Sequence, residues 1–195
     1  MITMETQARS ISVTDTAKLI RVALAKHFPR TTFAVHSKKY SGGASINIHW
    51  TDGPRTKDVE RISNGFEGTS FDGMNDLASN QQSWLTPSGI ASLAHRPDSY
   101  GGSIPEYVSD APHPNAEMVS FMADYVFCNR HISDFETKEA AALAMIRTHC
   151  QCEGIPPCDR FGGQWGDQLA RHMVQDQGDN ETMQAAFDRV VLRNG

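Results

Sequence analysis

Two short runs of strict alternation, set on either side of a glycine pair, constrain this chain more than any other feature. Phe33 and Val35 alternate with Ala34 and His36, and Ile46, Ile48 and Trp50 alternate with Asn47 and His49. A period of two sends successive side chains to opposite faces, so two adjacent runs of this kind specify a hairpin with one buried face. Gly42 and Gly43 lie between the runs and can take the positive φ that a tight turn asks for.

Helical patterns flank the hairpin. From Thr14 to Phe28, Ala17, Ile20, Leu24 and Phe28 recur on one face; Thr14 offers a capping hydroxyl, Asp15 suits the positive end of the dipole, and Pro29 ends the run. After an Asp52-Gly53 turn, Val59, Ile62 and Phe66 form the inner stripe of a second helix. Both helices are expected to cover the same face of the hairpin. Two strands alone are marginal in water, so a third is expected from downstream, and Tyr125, Val126 and Phe127 are its candidates as a short buried strand.

Between Gly68 and Pro114 the chain is rich in Ser, Gly, Pro, Asn and Asp, and reads as long loops. Three helix patterns follow, Thr137 to Cys150, Trp165 to Gln177 and Glu181 to Leu192. The expected fold class is α+β. A helix-strand-strand-helix module with a small antiparallel sheet, residues 14–76, precedes a loop-rich and then helical extension, residues 77–195, packed on it.

The two parts differ in charge. Residues 1–65 hold ten Lys/Arg and five Asp/Glu, residues 66–195 hold eight and eighteen, so +5 and −10 combine to the formal −5. That total argues against a generic nucleic-acid coat, while the asymmetry suits different partners for the two parts. No run of apolar residues approaches a membrane span, and the first residues lack the basic-then-apolar plan of a secretory signal; the expected location is the cytoplasm, away from membranes. There, Cys128, Cys150, Cys152 and Cys158 would be reduced thiols rather than a disulfide framework.

The blocks TAKLIRVALAKHFP, FAVHSKKYSGGASINIHWTDGP, KDVERI and FEGTSFDGM, with a weaker echo in YVFCNRHIS, resemble the large polyvalent protein associated domain 29 family of phage and conjugative-element proteins. The resemblance covers residues 14–76 and the segment 125–133. It implies a mobile-element setting, beside anti-restriction and DNA-processing proteins, and no catalytic residues. Here the domain is nearly alone, which favours a self-contained activity.

Arg30, His36, Lys38, Lys39 and Tyr40 make a basic tip that could grip phosphates, with Tyr40 stacking on a base or packing on a protein, and Asn47 and His49 extend the same polar face. The bland alternative is a polar hairpin loop whose lysines guard a sheet edge. His149, Cys150, Cys152 and Cys158, with His131 or Cys128 in reach, could be zinc ligands, but the C-x-C spacing departs from the usual knuckle and buried apolar thiols are favoured. Asp72, Asp76 and Glu67 read as a turn and helix cap before they read as a cation site. RFGGQW lacks the remainder of a phosphate loop, and no nucleophile signature is visible. No cofactor, metal or catalytic residue is assigned.

The favoured function is stoichiometric inhibition of a host defence complex, a CRISPR effector or a restriction enzyme, with Tyr40, Trp84, Tyr100 and Tyr107 as candidate anchors. The alternative is a nucleic-acid-binding accessory domain, on DNA or RNA, in the element's own transfer or replication. A metal-dependent hydrolase stands third.

Overall fold

A computed structural model describes residues 8–72, 77–96, 106–153, 163–179 and 181–192; the side chains of residues 71, 72, 77, 96, 106, 107 and 163–165 are outside the description. Asp76, Tyr100 and Cys158 therefore lie outside it, as does the first half of RFGGQW. The fold is α+β, and its contacts gather into two units: Met1–Trp50 with Lys57–Asn129, and Thr51–Thr56 with Arg130–Gly195.

The first unit begins with β1 (Arg9–Ile11) and α1 (Val13–His27). The cap lies two residues before the expected one: Ser12, not Thr14, accepts from the Asp15 N–H, and the buried stripe includes Val13, Ala17, Ile20 and Leu24. The hairpin follows as β2 (Ala34–Tyr40) and β3 (Gly43–Thr51), paired from Ala34–His49 to Tyr40–Gly43. Its loop is only two residues long, with Gly42 at φ 91°. The strand therefore runs through Lys38, Lys39 and Tyr40, which the sequence had suggested were loop. Next come α2 (Thr56–Ser63) and a 3₁₀ turn, Asn64–Phe66.

The third strand does arrive from downstream. β10 (Tyr125–His131) pairs with β3, giving the order β10-β3-β2. Ile20 and Leu24 of α1, Val59 of α2 and Phe66 join Val35, Ile46, Ile48 and Val126 in one buried cluster, so both helices cover one face of this sheet, as expected.

The stretch read as loop holds further strands. β4 (Thr69–Asp72) and β5 (Leu77–Asn80) form a hairpin, and β6 (Gln82–Leu85), β7 (Ala91–Arg96), β8 (Glu106–Tyr107) and β9 (Glu117–Phe121) join β1 in a second sheet ordered β1-β9-β6-β7-β8. β1 runs parallel to β9, and Arg9 clasps Glu117 through two hydrogen bonds of 2.6 and 2.8 Å. β6 and β7 escaped detection because their buried positions hold Ser83, Ala91 and Ala94, which give no aliphatic alternation. Val119 and Phe121 belong to the same core as the hairpin, and the Phe121 ring meets Phe66 at 5.3 Å.

The second unit is helical: α3 (Phe135–Cys152), α4 (Gly163–Gln175) and α5 (Met183–Phe187), the last continuing as a wider turn through Asp188–Leu192. All three expected helices are present. Ala142, Ile146, Cys150, Met173, Val174 and Phe187 lie in their shared core. Arg130 ties this unit by donating to the carbonyls of Asp52 (3.2 Å), Gly53 (2.9 Å), Gln175 (3.0 Å) and Gln177 (2.9 Å). Arg189 donates to both Glu181 carboxylate oxygens, each at 2.9 Å, and to the Asp176 carboxylate. Among the described residues no helix is long and apolar enough to cross a membrane.

Candidate binding face

The pleat of the three-stranded sheet decides which of the candidate residues can act together. Val35 lies opposite Ile48, and both are buried, so Ala34, His36, Lys38 and Tyr40 share the other face with Asn47 and His49 across the ladder. The His36 and His49 rings lie 6.4 Å apart. On β10, Val126 enters the core and Cys128 packs against it, so Tyr125 and Phe127 point to the same outer face as His49. Their rings are 6.1 Å apart, and Phe127 is 49% exposed. It is an exposed ring, not the buried residue its strand had suggested.

Five of the seven sequence candidates, His36, Lys38, Tyr40, Asn47 and His49, thus belong to one face. Two do not. Lys39 pairs with Ala44 on the opposite side of the pleat, where it lines a cavity of about 670 Å³ with Ser10, Ser12, Thr69 and Asp124; Tyr40, at the end of the strand, reaches the same cavity through its ring. Arg30 is exposed in the turn after α1, off the ladder.

None of the three strands carries an Asp or Glu, in a chain that has 23 of them. Asp124, the residue before β10, is engaged: it accepts from the Ala44 N–H at 2.8 Å and from the Thr69 hydroxyl at 3.3 Å, with the Tyr40 hydroxyl at 3.4 Å. A Cβ on Gly43 would stand 2.0 Å from that carboxylate, so only glycine lets it approach. The tip of the hairpin is therefore anchored, with Tyr40 still 44% exposed.

The guarding role of the lysines also has support. β2 is an edge strand of this sheet, and Arg21 on α1 donates to the Val35 carbonyl. Edge protection accounts for lysines along β2; it does not account for the rings of Tyr125, Phe127 and His49 on the outer face.

The other candidates take structural places. Glu67 accepts from the Val126 N–H at 2.9 Å, and burial, with help from Glu60, raises its carboxyl above the ordinary range. Trp84 is anchored by its indole N–H to the Ser109 carbonyl at 3.0 Å. Cys150 is buried in the helical core, Cys152 is exposed, and the His149 ring meets Phe187 edge-on at 5.4 Å. Burial pushes the Cys128 thiol up to about 11, which leaves it a poor nucleophile. Among the described residues no group of three or more His, Cys, Asp or Glu is placed to hold a metal ion.

The family model of the large polyvalent protein associated domain 29 matches residues 11–133. That is more than half of the sequence, and the chain belongs to this family. The matched span runs from the end of β1 to just past β10, so it includes all three strands of the candidate face. No curated protein and no solved structure shows a significant match.

Proposed function

We propose that this member of the domain 29 family blocks a host defence complex, a CRISPR effector or a restriction enzyme, by direct stoichiometric binding. Family membership sets the chain among phage and mobile-element proteins, where such an activity has a use. The observation that carries the reading is the outer face of the three-stranded sheet: exposed at Tyr40 and Phe127, its strands free of carboxylates, and furnished with Tyr40, Tyr125, Phe127, His36, His49 and Lys38. A rigid, well-supported surface with exposed aromatic anchors is what a binding protein needs, because aromatic side chains carry much of the energy of contact. Defence nucleases present basic channels and nucleic acid in close proximity, so a face of this kind has both ring-accepting and anionic surfaces to meet.

The reading is tested by titrating purified protein into target-DNA binding and cleavage assays of a panel of CRISPR effectors and restriction enzymes. Inhibition should saturate near one chain per binding site once concentrations exceed the dissociation constant, and Phe127→Ala should weaken it. Complete inhibition at a small fraction of the nuclease concentration, or no inhibition of any complex, would overturn it.

A further inference from the structure

We infer that the outer face of the β10-β3-β2 sheet binds single-stranded nucleic acid, with the rings of Phe127, Tyr125, His49 and His36 stacking on unpaired bases and Lys38 neutralising phosphate. The inference rests on the reading of this face as the working surface, and it names the chemistry recognised there. Three observations converge on it. The rings come in two neighbouring pairs, 6.1 and 6.4 Å between centroids, one on β10 and one bridging β2 and β3. A base has a π face whatever its identity, so rings spaced over a sheet accept successive splayed bases with little sequence preference.

Charge supplies the second argument. On the outer face the three strands present Lys38 and no carboxylate, although the whole protein is acidic; Lys39 is on the other side of the pleat and Arg130 is held by backbone carbonyls. A polyanion meets no like charge on these strands, whereas much of the remaining surface would repel it. Asn47, next to His36 on the ladder, adds an amide that can both donate to and accept from a base edge.

The third argument is shape. A sheet face presents no projecting helix to enter a major groove, and bases inside a duplex are already stacked, so such rings can engage only unpaired strands. In a defence complex the available single strands are a guide or a displaced target strand, and covering either would block its reading of DNA.

The experiment is fluorescence anisotropy with labelled oligo(dT) and oligo(U) of about 15 nucleotides, a span within the reach of one binding module, and with a duplex of equal length. The single strands should bind, the duplex should bind at least about tenfold more weakly, and raising salt from about 50 to about 200 mM should weaken binding severalfold. Phe127→Ala and Tyr125→Ala should each cost about tenfold. Tyr125→Leu/Phe127→Leu, which keeps the apolar bulk and removes both rings, guards against loss through misfolding and should fail equally. Lys38→Glu should weaken binding and flatten the salt dependence, whereas Lys39→Glu, one residue along and on the opposite face, should leave it near wild type. Equal or stronger duplex binding, single-strand binding unmoved by the ring variants, or no binding at all would overturn the inference. Inhibition of a nuclease without oligonucleotide binding would overturn it while leaving the defence reading intact; oligonucleotide binding without inhibition would do the reverse.

Discussion

Among the described residues, eighteen buried apolar side chains, from α1, α2, β2, β3, β10, the second sheet and the turns between them, form one cluster in the sheet unit, while the helical unit gathers nine. The smaller core is supplemented by polar ties: Arg130 holds four backbone carbonyls, and Arg189 holds Glu181 and Asp176. The sheet unit has polar ties of its own around Asp124 and Glu67, but these fix a hairpin tip and a strand start rather than replace a core. The candidate face thus lies on the unit whose rigidity comes from apolar burial. There, surface residues are free to be chosen for recognition, since little stability rests on them.

The largest effect should come from the sheet core. Phe66 is fully buried against Phe121, and Phe66→Ala removes a ring that the packed surroundings cannot replace. A loss of about 3–5 kcal/mol is expected in urea unfolding. A loss below about 1 kcal/mol would show that the cluster is looser than its burial implies.

The helical unit should be broken most easily through Arg130. Arg130→Met keeps much of the aliphatic stem and leaves four carbonyls without their donor; a loss of about 2–3 kcal/mol is expected. Arg130→Lys should recover little, because an ammonium cannot span four acceptors as a planar fork does. Recovery by lysine to wild-type stability would mean that charge alone, not the fork, is what the site uses.

Acid should separate the two units more gently. The Arg189 hydrogen bonds, with a further one from the Gly178 N–H, hold the Glu181 carboxyl below its ordinary value of 4.5, whereas burial raises Glu67 above the same value. A depressed carboxylate contributes stability that is present above 4.5 and is lost as pH falls through its folded pKa; a raised one is destabilising when ionised and is relieved as pH falls. Acidification below pH 4.5 should therefore loosen the helical unit by about 1 kcal/mol or less through this group. Arg189→Met should reduce the drop in Tm between neutral and acid pH. An unchanged drop would remove this pair from the account.

The same contrast explains what could be read from residues alone. Period-three-and-four stripes made α1 and the three C-terminal helices visible, and period two made β2 and β3 visible, because in each case large apolar side chains such as Ile20, Leu24, Ile46, Ile48, Ile146 and Met173 recur among the inward positions. Strands β6 and β7 put Ser83, Ala91 and Ala94 inward, and small residues carry no such signal. The candidate face was partly visible for a related reason. His36, Asn47 and His49 were found by alternation, yet Tyr125 and Phe127 were missed, although they alternate with Val126 and Cys128. Which side of a strand faces out is settled by its partners, and β10 pairs with a strand some eighty residues away.

Lys38 and Lys39 give the smallest change in stability and the sharpest division between faces. Adjacent residues in the sequence suggest one basic tip, but the two-residue turn extends β2 through both, and the pleat separates them: Lys38 opposite Ser45 with His36 and Tyr40, Lys39 opposite Ala44 beside the cavity. Both are exposed, so charge reversal at either should move stability by less than about 0.5 kcal/mol. Their effects on function should differ by far more. Lys38→Glu places a carboxylate among the rings of a face that has none, and should weaken inhibition of the defence complex by about tenfold, the effect expected of one reversed contact charge. Lys39→Glu should leave inhibition unchanged. Equal loss from the two variants would mean that the hairpin acts as an undivided basic tip, and loss from Lys39→Glu alone would move the working surface to the cavity side of the sheet.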